Sequence, residues 1–429
     1  MTRALVNSAL VTCYLSLSWM AVLGEAFTNQ NIGIAVNEWF EDSLNATAQY
    51  GPISDWDVTL VTNMEVLFLD RISFNEDLSR WTTSNVVKMH HMFRNCTLFD
   101  SDLSSWDVSN VVDMSGMFRD AESFTAKGGL ASWNVSKVLQ MDYMFDDAKK
   151  FNADISSWVV SSAKDMQGMF NGASIFMGDL SKWDVSKVEN MNGMFGSAEG
   201  FNSDLSDWNV SNVKNMRTMF RNAKEFNSDI SLWDTSNVET MTDMFWGAQK
   251  FNDNIGAWDV SSVTAMDGLF DDALAFNFDL SNWDVSKVTT MKLMFSDAKA
   301  FNSDISQWDV RQVMDMERMF KGATLFDINL SRWDVSSVES FDSMFEDATS
   351  FSQTLCWELI DQAEVDDMFK GTSGANARCE NSAPTPTGRL TSGASVARMC
   401  KNKLHLVLSL CSTFYLFTLF LPTFPVTRN

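Results

Sequence analysis

Residues 276 to 298 read Phe-Asn-Phe-Asp-Leu-Ser-Asn-Trp-Asp-Val-Ser-Lys-Val-Thr-Thr-Met-Lys-Leu-Met-Phe-Ser-Asp-Ala, and close copies of this stretch fill most of the chain. Its Trp283 belongs to a series: Trp56, Trp81, Trp106, Trp133, Trp158, Trp183, Trp208, Trp233, Trp258, Trp283, Trp308, Trp333 and Trp357. The steps are 25 residues, except one of 27 and a last one of 24. Self-similarity at such a period signals a solenoid, in which each unit buries its apolar face only against its neighbours.

Within the unit, Val288, Met291, Met294, Phe295 and Ala298 fall at i, i+3, i+6, i+7 and i+10, a spacing that predicts one face of a short helix. Ser286 stands at its N-cap. Other copies supply a capping box, as in Ser186 with Glu189, Ser236 with Glu239 and Ser336 with Glu339. The other half, Phe-Asn-x-Asp-[Ile/Leu]-Ser, is too short and too rich in Asn, Asp and Ser for a helix, so it reads as a short strand flanked by turns. The expected fold is an α/β, right-handed, leucine-rich-repeat-like solenoid of about 13 coils, each a short parallel strand plus a short helix, capped at both ends. At about 4.8 Å per strand, the inner sheet would run roughly 60 Å.

The flanks divide the chain further. Residues 1–26 carry Arg3, an apolar stretch from Ala9 to Leu23 and Gly24-Glu25-Ala26, the pattern of a secretory leader. Residues 27–50 form a helical cap, with Ile32, Ala35, Val36, Trp39 and Phe40 on one face. The repeats occupy 51–372, and 373–391 hold the end of the cap and a Ser/Thr/Pro linker. In 392–429, small residues from Ser392, a spacer with Arg398, Lys401 and Lys403, and an uncharged run from Leu404 to Val426 fit a GPI-anchor signal attached at Ser392. A membrane span is the alternative. Either way the repeats are expected on the outer side of the plasma membrane.

Composition narrows function. Of 429 residues, 32 are Lys or Arg and 56 are Asp or Glu, a net charge of −24 that makes nucleic acid an improbable partner. Three His, of which His90 and His91 are neighbours and His405 sits in the apolar tail, leave little room for histidine catalysis or zinc. Cys356 and Cys379 bracket the last coil, where a disulfide would cap a secreted solenoid. Cys96 occupies a position that later repeats fill with Ala, so it reads as a small buried residue.

The unit Phe-Asn-x-Asp-Ile-Ser-x-Trp-Asp-Val-Ser-x-Val-x-x-Met-x-x-Met-Phe-x-x-Ala is nearly whole at Phe201 to Ala223, Phe226 to Ala248 and Phe276 to Ala298. It resembles the BspA-like family of surface proteins, also described as the DUF285 repeat. The resemblance implies a leucine-rich-repeat relative on microbial and protist surfaces, where several members are adhesins, and it implies an extracellular interaction scaffold without catalysis. It transfers no ligand, because the family defines its repeat by core residues. Departures are local: two extra residues between Phe124 and Trp133 with Gly128-Gly129, Val159 in place of Asp, and Arg311 in place of the N-cap Ser.

Three sets of residues remain as candidate sites. Asp154, Asp179, Asp204, Asp229, Asp279 and Asp304 would stack into a row of carboxylates, held by turn amides or serving as a calcium ladder. Asp207, Leu232, Ala257, Asn282, Gln307 and Arg332, the residues before each Trp, vary between repeats and form a candidate ligand stripe. Asn45, Asn95, Asn134, Asn209 and Asn329 begin glycosylation sequons. The Trp column could stack sugars if exposed, yet its regularity fits a buried ladder. No nucleophile and base recur together, so no enzyme is expected. The expected function is a monomeric cell-surface adhesion scaffold that recognises an extracellular protein or glycan through the sheet face and rim. The alternative is an acidic wall or matrix protein that organises cations.

Overall fold

The computed structural model describes residues 26–377. The leader, the linker, Cys379 and the Ser392 anchor site lie outside the described residues. From Trp56 onward the chain winds as a repeat solenoid. Single-residue parallel bridges join Asn63 to Lys88, Lys88 to Asp113, and so on to Thr240, and again from Ala265 to Glu364.

The helix expected over Val288–Ala298 is absent, and so is its counterpart in every other coil. The segment is instead a run of overlapping turns: Met294, Ser296 and Ala298 donate their amides to the carbonyls of Met291, Leu293 and Phe295. The remaining amides, of Met291, Leu293, Phe295 and Asp297, donate to Asp315, Glu317, Met319 and Lys321 of the next coil at 2.6–2.9 Å. Turns that advance about three residues bring the same side chains inward as a helix would, which explains the helix-like spacing. Backbone torsions forbid the helix itself, because Leu293 and Asp297 have φ of 60° and 50°. Consequently Ser286 caps nothing. Its amide and those of Ser186, Ser236 and Ser336 donate to the carboxylates of Asp284, Asp184, Asp234 and Asp334 two residues earlier.

The strand expected in the Phe-Asn segment also moves: the inter-coil bridges fall at Thr290 and its equivalents, within the turn run. The Phe-Asn segment is joined across coils by side chains. Asn227 accepts the amide of Asn252, Asn252 that of Asn277, and Asn277 that of Asn302, each through Oδ1 at 2.7–2.9 Å. Where Asn gives way, Asp327 takes the same role toward Ser352. Among the described residues, regular strands appear only as β1 (Thr354–Leu355) and β2 (Ala375–Asn376), a parallel pair at the end of the repeats.

Inside each coil the core is aromatic. Phe295 lies 3.8 Å from Phe301 and 5.7 Å from Phe320 of the next coil, with nearly parallel rings. Trp283 stacks 6.4 Å from Trp308. Each Trp of the series also donates its indole N–H backward, as Trp283 does to the Ile255 carbonyl at 3.0 Å. The column is therefore buried and fully bonded, with no face for a sugar. Truncating one such ring costs about 3–5 kcal/mol. The Met residues of the core are buried alongside. So is Cys96, whose thiol donates to the Phe68 carbonyl at 3.0 Å and is pushed up to about 12 by burial.

At the start, α1 (Ile32–Glu41) and α2 (Ser43–Tyr50) pack on the first coil. Ile32, Ala35 and Val36 are buried, and Trp39 and Phe40 meet Phe74 at 6.1 and 5.7 Å. Asn29 Oδ1 accepts the amides of Thr62 and Asn63, in the place where a preceding coil would offer a carbonyl. At the other end Cys356 is disulfide-bonded. Among the described residues no helix is long and apolar enough to cross a membrane.

Candidate functional site

The packing positions hardly change from coil to coil, whereas the outward positions of the turn run form a different combination in each coil. These are the residues seven, nine, ten, thirteen and fourteen after each Trp, here termed the ladder face. Two of these columns, ten and fourteen after Trp, are the positive-φ positions. They hold Asp70, Asn95, Asp120, Asp147, Gly172 and Ser197 in one column, and His91, Gly116, Tyr143, Gly168 and Gly193 in the other. Gly, Asn and Asp tolerate this conformation best, so their recurrence just before the buried Ala was a readable sign of a turn rather than a helix. A large side chain here leans on the next coil. A Cβ on Gly168 would lie 2.6 Å from the Tyr143 ring, and one on Gly116 would lie 2.2 Å from His91 Nδ1.

The ladder face gathers an Arg, an aromatic ring and several Asp at two places, with the ring ten residues after its Trp in the first and thirteen after it in the second. In the first, the Arg119 guanidinium lies 4.7 Å over the Tyr143 ring and 3.1 Å from Asp146, beside Asp142 and Asp147. Asn171 donates to Asp146 at 2.7 Å and Ser115 to Asp142 at 2.7 Å. In the second, Arg221 lies 3.7 Å over the Trp246 ring, followed by Asp243, Asp267 and Asp271. Burial raises all six carboxyls above their ordinary range, and it brings Asp146 and Asp271 to about 6. Asp146 has the Arg119 ion pair. Among the described residues the other five have none. Between the constellations the face is low, with Gly168, Gly193, Gln167, Asn190 and Asn192, and carries the single charge of Asp165.

Next to the first constellation, His90 stands between Glu65 and Asp113, its nitrogens 3.5 and 3.4 Å from their carboxylates. Nδ1 of His90, Nδ1 of His91 and Nε of Arg119 are buried without an aligned hydrogen-bond partner. Burial lowers the His91 pKa. Sequence reading passes over these side chains because it weighs the histidines only as catalysts and zinc ligands. Trp246 could have been found by count: sixteen Trp against thirteen in the column leaves Trp19, Trp39 and Trp246.

The residues singled out from the sequence lie elsewhere. Asp154, Asp179, Asp204, Asp229, Asp279 and Asp304 are exposed, and each accepts the amide of the Ser two residues on at 2.9–3.0 Å. These bonds, with those from the Ser hydroxyls, hold the carboxyls below their ordinary range. Among the described residues no group of three or more His, Cys, Asp or Glu is arranged to hold a metal ion. Asp207, Leu232, Ala257, Asn282, Gln307 and Arg332 are all exposed, Leu232 to 85%, but they follow one another along the turn before the Trp, off the ladder. Arg332 reaches back to Gln307 at 3.3 Å. Of the sequon residues, Asn45 lies exposed on α2, and Asn95 is half-buried and donates to Asp70. Asn134, Asn209 and Asn329 are exposed, tied into turns through Oδ1, which leaves Nδ2 outside those bonds.

The family model described as "Mycoplasma protein of unknown function, DUF285" matches residues 35–153, 125–231, 216–316 and 277–382. No curated protein is significantly similar to the chain. Among solved structures, the crystal structure of a TLR13-ssRNA13 complex matches with 12% identity and a TM-score of 0.20, over 67% of this chain. The chain spans about half of that protein, 49% of its length.

Proposed function

Because the chain belongs to the DUF285 family of repeat proteins, we propose that it is a binding scaffold rather than an enzyme, displayed outside the cell, whose ladder face recognises a macromolecular partner. One observation carries this reading. The coils share their core columns, while the ladder face differs at every coil and concentrates Arg, Tyr, Trp and half-buried Asp in two places. Packing explains uniformity, and a solenoid that bound nothing would have no need of this local variety. Tyr, Trp and Arg are also the residues that dominate binding energy at interfaces. Adhesion to a protein or glycan, and display through the N-terminal leader and C-terminal anchor, complete the proposal.

The test is adhesion of intact cells that express the full chain, with protease shaving to verify that the repeats are outside. Replacing Tyr143 and Trp246 by Ala should abolish adhesion, while Leu232→Ala with Gln307→Ala should leave it intact. The reverse pattern would move the binding surface to the stripe before the Trp column. Repeats that resist shaving on intact cells would refute external display.

A second reading, cation organisation along Asp154 to Asp304, is favoured by one detail: each turn uses Oδ1 and leaves the outer oxygen to solvent. Calcium should then raise the melting temperature, and the rise should vanish when Asp179, Asp204 and Asp229 become Asn.

A further inference from the structure

The two constellations lie on the same face of the solenoid. From Arg119 to Arg221, and from Tyr143 to Trp246, the step is four coils. From Asp146 to Asp271 it is five. At about 4.8 Å per coil the two lie about 19–24 Å apart. A globular partner with two-fold symmetry cannot use two sites that face the same way, but a linear chain can.

Charge names the chemistry. Each guanidinium is already stacked on its ring, and Arg119 also faces Asp146. The unmet demand is for cations, because Asp142, Asp147, Asp243, Asp267 and Asp271 have no ion pair among the described residues. They are half-buried, where an opposite charge is worth more than at the exposed turn row. Hydrogen bonds from Ser115, Thr290 and Ser296 fix Asp142, Asp267 and Asp271 in place, so a cation would meet preorganised acceptors.

We propose that the ladder face binds an extended polypeptide segment that places basic side chains at two points about six residues apart, one in each constellation, a span set by about 3.3 Å per extended residue. This rests on the ladder face being the binding surface and adds the partner's chemistry. Binding at two points makes the second contact intramolecular, so affinity depends on spacing as well as on charge.

The experiment uses the full chain in detergent and two fluorescent peptides of equal composition, measured by anisotropy at physiological salt. One peptide carries two Lys-Lys pairs separated by five Gly/Ser residues. The other carries the four Lys together. The spaced peptide should bind at least tenfold more tightly, and Asp271→Asn should remove that advantage. Asp243→Asn gives a second route should Asp271→Asn alter the fold, as read by circular dichroism. As a control for diffuse attraction to an acidic protein, the triple variant Asp179→Asn, Asp204→Asn, Asp229→Asn should bind as the parent does. Equal affinity for the two peptides, or equal weakening by the triple variant, would overturn the proposal. So would adhesion that a neutral oligosaccharide blocks and basic peptides do not. That last result would still leave the ladder face as the binding surface.

Discussion

The aspartates of the turn row, such as Asp179 and Asp229, and those of the ladder face, such as Asp146 and Asp271, are one residue type under opposite constraints. In the turn row each carboxylate is exposed and accepts the amide two residues on, so its charged form is favoured and its pKa falls. On the ladder face the carboxylates are packed between coils, and loss of water raises their pKa despite the hydrogen bonds they receive. Repetition alone therefore does not define a role. A residue's column decides whether its charge supports the fold or opposes it.

Acid titration should show the largest effect. Ladder carboxyls have folded pKa values above the unfolded ones, so the stability they cost at neutral pH is recovered as pH falls through about 6. Turn-row carboxyls have depressed values, so their contribution is present above about 4 and is lost as pH falls below it. Urea midpoints should hold steady or rise between pH 7 and 5, then fall toward pH 2. A monotonic fall from pH 7 would break the contrast.

A single substitution sharpens it. Asp146 is only 3% exposed, and a shift from 3.8 to about 6 corresponds to a cost of up to about 3 kcal/mol at pH 7. Asp146→Asn should stabilise the chain at pH 7 by part of that amount, since Arg119 loses its partner, and by nothing near pH 4. Denaturation curves at the two pH values check this.

Glycine offers the next comparison. Gly322 has φ of 68°, and a Cβ there would lie 2.5 Å from Asp297 Oδ1, so Gly322→Ala should cost about 2 kcal/mol. Gly129 stands where the turn row elsewhere has Asp, at φ of 84° with open space around it. Gly129→Ala should cost only the torsional strain, about 1 kcal/mol. The smallest effect should come from Asp229→Ala, which removes two exposed hydrogen bonds within one turn and about 1 kcal/mol or less. Thermal melts of the three variants give the order.

The 25-residue period, the buried Trp column and the apolar face of α1 were all legible in the sequence, because each is a packing pattern that repeats or alternates over many residues. The turn run was misread for a specific reason. Overlapping turns and a helix put Val288, Met291, Met294 and Ala298 on the same side, and hydrophobic spacing cannot separate them. Only the torsion-tolerant residues at Asp297, Gly322 and Asp347 carry the distinction. The ladder face was illegible as a surface because its members are 25 residues apart and differ from one another. Arg119, Tyr143 and Asp146 become a unit only when the coils are stacked.

The direction of the inter-coil bonds has an electrical consequence. In most coils four amides point forward to the next coil, as from Met291, Leu293, Phe295 and Asp297, while fewer point back, here those of Thr289 and Ala300. Peptide dipoles of about 3.5 D each therefore add along the solenoid instead of alternating as they do in a sheet. Every added coil lengthens this array by the same increment. Its positive pole is the last coil, where the amides of Val365, Asp367, Phe369 and Gly371 have no acceptor among the described residues. Glu364, Asp366 and Asp367 sit at that pole, the place where negative side chains are electrostatically favoured. The molecule is thus polarised end to end by its backbone, with a strength proportional to the number of repeats.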